Sequence, residues 1–383
     1  MTDSPQRALL PAGLRDILPP EAEFEASTVE RLVLTLAAHG YERVKPPLVE
    51  FEDSLLADSG ASMGPHTFRL MDPVSQRMMG LRADMTLQVA RIAATRLKAL
   101  PRPLRLSYAG QVLRVKGDEL RPERQFGQVG AELIGCDAPA ADAEAVLLAA
   151  RALSAVGLSD LTIDLSSPTL VPAVLAAHGA APAPRKLRDA LDRKDAAAVA
   201  TLGGEAAGAL TALLRATGPA DKALAAIAKL DLPPDAAVEA KRLADVAALV
   251  RAGAGGLRLM IDPVESRGFE YHTGVCFTIF ARGVQGELGR GGRYITGEAY
   301  ASKGGEPSTG FTLYTDTVMR ALPAAQHAPR LYIPFGTTPE IGVQLRTEGW
   351  RTVAGLEPEA DQAAEARRLR CSHIFLNGAP REL

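Results

Sequence analysis

Apolar and polar positions along this chain repeat with two periods, and the switches between them mark out its elements. From Glu21 to His39, the apolar positions Phe24, Val29, Leu32, Leu34 and Leu36 suit an amphipathic helix closed by Gly40. Residues 41–51 (YERVKPPLVEF) read as a strand interrupted by Pro46 and Pro47, a pair that removes ladder donors and belongs at an edge or an interface. Alternation over 66–82, with a turn at Asp72-Pro73, predicts a hairpin. A helix is predicted from Asp84 to Ala99, with Asp84 as a candidate N-cap. Strands follow at 104–114 and 124–134, then a helix over 137–156 and a short strand at 161–165.

The stretch 167–256 is dominated by Ala, Leu, Lys and Asp in helical periodicity, broken at Gly203-Gly204, Gly218-Pro219 and Pro233-Pro234. It reads as an inserted helical module whose expected role is packing or spacing. Strand-rich sequence resumes at 257–263 and runs to Phe280, a glycine-rich segment spans 286–297, and a strand and helix are predicted over 309–321. Beyond Pro323 and Pro329, residues 330–383 alternate strand and helix, which predicts a small parallel α/β module. The body, 1–322, mixes antiparallel-type strand pairs with helices, so the expected class is α+β.

Composition then narrows the function classes. The chain has 383 residues, 47% of them apolar and 23% charged, with a formal net charge of −2. That is ordinary for a globular protein with a substantial core, and no basic excess marks a nucleic-acid surface. Cys136, Cys276 and Cys371 are far apart and lack metal-ligand or redox spacing, so reduced thiols and no metal site are expected. The N-terminus lacks the charge and apolar pattern of a signal peptide, and no long apolar run spans a membrane. A cytoplasmic location is the expectation.

The chemistry concentrates in a few segments. In 105–135 a strand, an arginine-bearing loop (Arg114, Arg121, Arg124) and a second strand place Gln128 and Glu132 on one strand face. With Arg114 near its mouth, such a pocket suits a small zwitterion: a carboxylate for the guanidinium, and an amine or ring nitrogen for Gln and Glu. In Arg82–Thr86, Asp84 either caps a helix or accepts a ligand ammonium. Ser266–Gly274 (SRGFEYHTG) is a second polar cluster, where Arg267 beside Gly268 suits close approach to an anion. A lone His272 is read as pocket lining rather than as a metal ligand or base. GELGRGGRYITG (286–297) lacks the lysine of a phosphate loop and the spacing of a dinucleotide fingerprint.

Taken in order, these segments resemble a class II aminoacyl-tRNA synthetase core of the histidyl type. PAGLRDILPPEA with GYERVKPPLVEF is similar to that family's motif 1, LRADMT to its amino-acid-binding element, and 107–135 to motif 2. SRGFEYHTG is similar to the histidine-recognition segment, and ELGRGGRYITG with GEPSTGFTLYTDTVM to the glycine-rich strand and motif 3. The resemblance covers roughly 1–320 apart from the helical insert, and implies a six- or seven-stranded antiparallel sheet with flanking helices. It also implies roles. Asp84, Thr86 and Gln128 match groups around a histidine amine, and Glu132 matches a residue facing the imidazole. Arg114 and Arg267 match carboxylate-side arginines, and Tyr271 and Tyr294 match pocket tyrosines, with His272 where the family has a second tyrosine.

The departures point away from catalysis. Motif 3 of an active synthetase ends in an arginine that holds ATP, and the matching positions here are Tyr314-Thr315-Asp316-Thr317. Lys116 stands where the family has an acid, and Tyr314 replaces a glycine. Losing a phosphate-stabilising arginine is expected to cost several powers of ten in rate, since comparable arginines are worth ~10³–10⁵. The tail, 330–383, is shorter than the family's anticodon-binding domain and not enriched in basic residues. This combination resembles the family of ATP phosphoribosyltransferase regulatory subunits. That resemblance implies a non-catalytic protein without a cofactor that dimerises through the motif 1 region. It also implies a hetero-octamer with the short catalytic subunit, and feedback inhibition by L-histidine in histidine biosynthesis. The alternatives left open are a divergent histidyl-tRNA synthetase, another ATP-dependent amino-acid-activating paralogue, and a scaffold with a relic pocket.

Overall fold

Helical periodicity sets the first helix, α1 (Glu21–Ala38), which buries Thr28, Leu32, Val33 and Leu36. Leu34, counted on the apolar face from sequence, is exposed, because two residues of helix carry it roughly 200° away from Leu32. The computed structural model describes residues 9–57, 63–117, 121–180, 182–265, 271–297 and 304–383. They fall into two units, one of residues up to Asp16 with Glu25–Pro323, the other of Ile17–Phe24 with Ala324–Leu383.

In the larger unit the proline pair divides one predicted strand into β1 (Glu42–Arg43) and β2 (Val49–Phe51), which join different sheets. After α2 (Glu52–Leu55), the hairpin β3 (Arg69–Met71) and β4 (Met78–Leu81) pairs with β2 in a three-stranded sheet. Then come α3 (Thr86–Thr95), β5 (Leu104–Leu113), β6 (Gln125–Ile134), α4 (Pro139–Ala155) and β7 (Leu161–Ser166). Helices α5 (Leu170–Ala177), α6 (Arg185–Asp192), α7 (Ala196–Leu202), α8 (Ala207–Arg215), α9 (Ala220–Ile227) and α10 (Pro234–Gly253) follow, with the two-residue β8 (Gly218–Pro219) among them. The unit closes with β9 (Arg258–Ile261), β10 (His272–Ala281), β11 (Gly289–Thr296), β12 (Glu306–Tyr314) and α11 (Thr315–Ala321).

The main sheet runs β1-β5-β6-β12-β11-β10-β7-β9-β8. Among the described residues this sheet has nine strands where six or seven were expected, and the two outermost, β1 and β8, are only two residues long. The β1–β5 and β7–β9 pairs are parallel and the others antiparallel. Near the centre, β6 is buried from Phe126 to Ile134 on both faces. Its even residues Phe126 and Ile134 join Met85, Val89, Tyr108 and Tyr314 in one core cluster. Across the sheet, α4 is tied down by a buried ion pair: Arg293 of β11 reaches Asp142 at 2.8 Å and also donates to the Cys136 carbonyl at 2.9 Å.

The smaller unit carries a sheet ordered β14 (Arg351–Ala354), β13 (Arg330–Ile333), β15 (His373–Leu376), β16 (Ala379–Glu382), with α12 (Pro339–Thr347) and α13 (Gln362–Arg368). Both partners of β13 are parallel to it, but β16 is an antiparallel strand that the sequence reading did not predict. Its signal was present: Asn377-Gly378, with φ of +50° and +78°, is the residue pair a tight two-residue hairpin prefers. Among the described residues, no helix is long and apolar enough to cross a membrane.

Candidate functional site

Register across the main sheet builds the site in rows. Gln128 of β6 lies between Gly110 and Tyr314, Gly130 between Tyr108 and Thr312, and Glu132 between Leu106 and Gly310. One strand further, Gly310 faces Gly292 and Thr312 faces Arg290; on β11's other side, Tyr294 faces His272. Glycines at the crossings let neighbouring side chains lie flat over the sheet. A Cβ on Gly130 would stand 2.3 Å from the Tyr108 hydroxyl, and one on Gly310 would stand 1.8 Å from Glu132 Oε2. The sheet therefore carries side chains where a packed strand would carry methyls.

Above these rows opens a cavity of about 400 Å³. One end is acidic. Asp84 and Thr86 enter from the start of α3, and Glu132 and Tyr294 rise from the sheet. Asp84 does two jobs: its Oδ1 accepts the Thr86 backbone N–H at 2.8 Å, and its Oδ2 accepts Gln128 Nε2 at 2.8 Å. Gln128 is off the cavity wall and holds the helix start in place, since its Oε1 also accepts the Met85 N–H at 3.0 Å. Asp84 is not the helix N-cap that the sequence suggested: that position is Met85, and Asp84 lines the cavity while closing a local turn onto the Thr86 N–H.

Glu132 is 1% exposed and lies between two tyrosines, with Tyr294 OH 2.8 Å from Oε2 and Tyr108 OH 3.3 Å from Oε1. Tyr108 also meets Thr312 Oγ1 at 2.7 Å and Thr86 Oγ1 at 3.2 Å, closing a network of hydroxyls beneath the cavity. Burial pushes the Glu132 carboxyl up to about 8; hydrogen bonding from Tyr294 opposes this and the negative Asp84 reinforces it. Near neutral pH this burial favours the protonated carboxyl. Burial likewise raises the Tyr108 and Tyr294 phenols.

The other end of the cavity is basic. Arg114 lies in the wall 5.0 Å over the Phe126 ring, with its Nε donating weakly to the Ala83 carbonyl at 3.4 Å. It makes no ion pair with any described residue. Arg290 stands across from it on β11, gripped by Glu287 at 2.6 Å. Tyr271 and His272 complete the wall, their rings 4.0 Å apart. Together these groups offer acceptors for a ligand cation, a guanidinium for a carboxylate, and a ring-sized space between. Among the described residues, no group of three His, Cys, Asp or Glu could hold a metal ion.

Thus Asp84, Thr86, Arg114, Glu132, Tyr271, His272 and Tyr294 share one cavity, Gln128 supports it from behind, and Arg267 lies outside the described residues. Sequence reasoning missed Tyr108, Thr312 and Arg290. Arg290 could have been found, because a charged residue among the glycines of a buried strand is anomalous. Thr317 is buried away from the cavity wall, and its hydroxyl accepts from Arg320 at 3.1 Å. Beside it, Arg121 pairs with Asp316 at 3.0 Å and stacks 3.8 Å over the Tyr314 ring.

Comparison with known proteins places this geometry. A family model described as Histidyl-tRNA synthetase matches residues 13–318. The ATP phosphoribosyltransferase regulatory subunit of Rhodospirillum centenum is 60% identical over 100% of this chain and 99% of its own length. The protein of the same name from Gluconobacter oxydans is 48% identical, again over 100% of this chain and 99% of its own length. Among solved structures, an ATP phosphoribosyltransferase regulatory subunit/histidyl-tRNA synthetase from Bacillus halodurans superposes with a TM-score of 0.82 at 23% identity, covering 95% of this chain and 97% of that one. Histidyl-tRNA synthetase from Nostoc superposes with a TM-score of 0.80 at 19% identity, covering 97% and 92%. At these identities the structural likeness establishes the fold: α+β, of the class II synthetase type.

Proposed function

The chain belongs to the family of ATP phosphoribosyltransferase regulatory subunits, and from that premise we propose that it switches on the short catalytic subunit and carries feedback inhibition by L-histidine in the first step of histidine biosynthesis. It does so without amino-acid activation of its own. In this reading it dimerises, joins the catalytic subunit in a cytoplasmic hetero-octamer, and takes histidine in the cavity described above. Asp84 and Glu132 receive the ligand's nitrogens and Arg114 its carboxylate, with Arg267 assigned to the same end. Residues 330–383 are read as a shortened anticodon-binding-like module that does not bind RNA.

One observation carries the proposal: Asp84, Glu132 and Arg114 line one amino-acid-sized cavity, while position 317, which would supply the nucleotide-holding cation of a synthetase, supplies a buried hydroxyl. Linkage supplies the regulatory logic, because histidine shifts activity only if it binds one assembly state more tightly than another. The test is to mix the purified chain with the short phosphoribosyltransferase and assay with and without histidine. Activity that requires this chain and falls on adding histidine is the expected result. ATP–pyrophosphate exchange with histidine by the chain alone would sink the proposal in favour of a synthetase.

A further inference from the structure

A second cavity, of about 600 Å³, shares no lining residue with the first. It lies where the end of α1 and the faces of α4 and α10 meet over β5. Arg105 enters it from β5; its neighbour Leu106 belongs to the core cluster, so Arg105 points to the opposite face of the sheet. The apolar wall has a local cause. At helical spacing α4 presents Ala140, Ala143 and Leu147, and the alanines are too short to fill the gap. The helices are not splayed throughout. At Gly253, α10 comes so near that a Cβ would stand 2.4 Å from Leu147 Cδ1; one turn earlier Leu249 lines the cavity and is 41% exposed. The polar wall is fixed by a buried bond. One Glu144 oxygen accepts Arg105 Nε at 2.7 Å, the other accepts Arg105 Nη2 at 2.9 Å, and Tyr41, 3% exposed, donates to the same carboxylate at 2.9 Å. Two turns further along α4, Arg151 lines the cavity, is exposed, and has no ion pair among the described residues.

We infer that this cavity is a second ligand site, for a small organic monocarboxylate whose apolar body lies against Leu147 and Leu249 and whose carboxylate meets Arg151. Its volume falls in the range of small-molecule sites, about 300–1,000 Å³. Charge sets the class of ligand. Arg105 and Glu144 cancel one another, which leaves one guanidinium, that of Arg151, for a charge-assisted bond. A polyphosphate would bring several negative charges to that single cation, beside the Glu144 carboxylate. Arg105 is already held by Glu144, so its unused Nη1 can join the carboxylate with little further ordering. This site takes its ligand whether or not histidine occupies the first cavity.

The test uses the full chain, with phenylacetate and its neutral counterpart phenylacetamide as probes, in calorimetry and ligand-observed NMR. Wild type is compared with Arg151→Gln and Leu249→Asp. Both positions are exposed on helices, so both variants should keep the fold, which thermal melting checks. The expected result is saturable phenylacetate binding by wild type, one per chain. It should weaken about tenfold or more in each variant, and the amide should bind about tenfold more weakly than the acid. No saturable binding by wild type would overturn the site. So would wild-type affinity in either variant, because the probe would then be bound elsewhere. Equal affinity for acid and amide would overturn the assignment of a carboxylate ligand.

Discussion

Replacing Glu132 by glutamine should remove a pH dependence of stability that the wild-type chain carries. In the folded chain burial holds the Glu132 carboxyl near pKa 8, against 4.5 in the unfolded chain. Between those values the folded state keeps a proton that the unfolded state has released. Wild-type stability from this group is therefore fully present below pH 4.5 and is lost as pH rises toward 8. The slope is about 1.4 kcal/mol per pH unit, so the span of about 3.5 units amounts to roughly 5 kcal/mol. Glutamine has no proton to lose. It also turns an amide N–H₂ toward one of the two tyrosines, a pH-independent penalty of about 1–3 kcal/mol. The variant should be less stable than wild type near pH 4.5 and overtake it at about pH 5–7. Urea denaturation of both proteins at a series of pH values from 5 to 9, without histidine, measures the difference. A difference that stays flat across that range would refute the assignment of a buried, protonated Glu132.

Further outcomes follow from other contacts. Gly310→Ala puts a methyl 1.8 Å from Glu132 Oε2 in the middle of a sheet. It should displace that carboxyl, lower stability by about 1–3 kcal/mol and weaken histidine binding, as read by denaturation and calorimetry. Asp142→Ala removes one of the two carboxylates that hold the buried Arg293 guanidinium, leaving Asp137 at 3.2 Å, and should cost about 1.5–3 kcal/mol in denaturant unfolding, more than loss of the exposed Lys241–Asp245 pair. Thr317→Arg should leave ATP–pyrophosphate exchange undetectable, because Thr317 is buried off the cavity wall beside Arg121 and Arg320 and a side chain there does not open onto the cavity. Exchange activity in that variant would refute the view that position 317 is cut off from the cavity.

Much of this molecule was legible before folding. The strands expected over 104–114 and 124–134 are found within a residue at each end, and the two-residue repeat of a strand puts Gln128 and Glu132 on one face. The motifs in order pointed to the family. Other features depended on contacts between segments distant in sequence. Glu132 meets Tyr294 across 162 positions, and Arg293 meets Asp142 across 151. A strand pattern says which face a residue takes but not what lies on the strands beside it.

The sequence by itself determined the alternating strands, the α+β class, the family and the missing arginine at position 317, because these depend on residue identity and on spacing along the chain. Only the tertiary structure decided the state of the site. Burial beside Asp84 makes Glu132 a proton-holding group, and Gln128 a support rather than a wall. Arg290 pairs with Glu287 and Arg121 with Asp316, while Arg114 makes no ion pair with any described residue. The physical reason is that charge and protonation depend on desolvation and near neighbours, and these exist only once the chain has closed on itself.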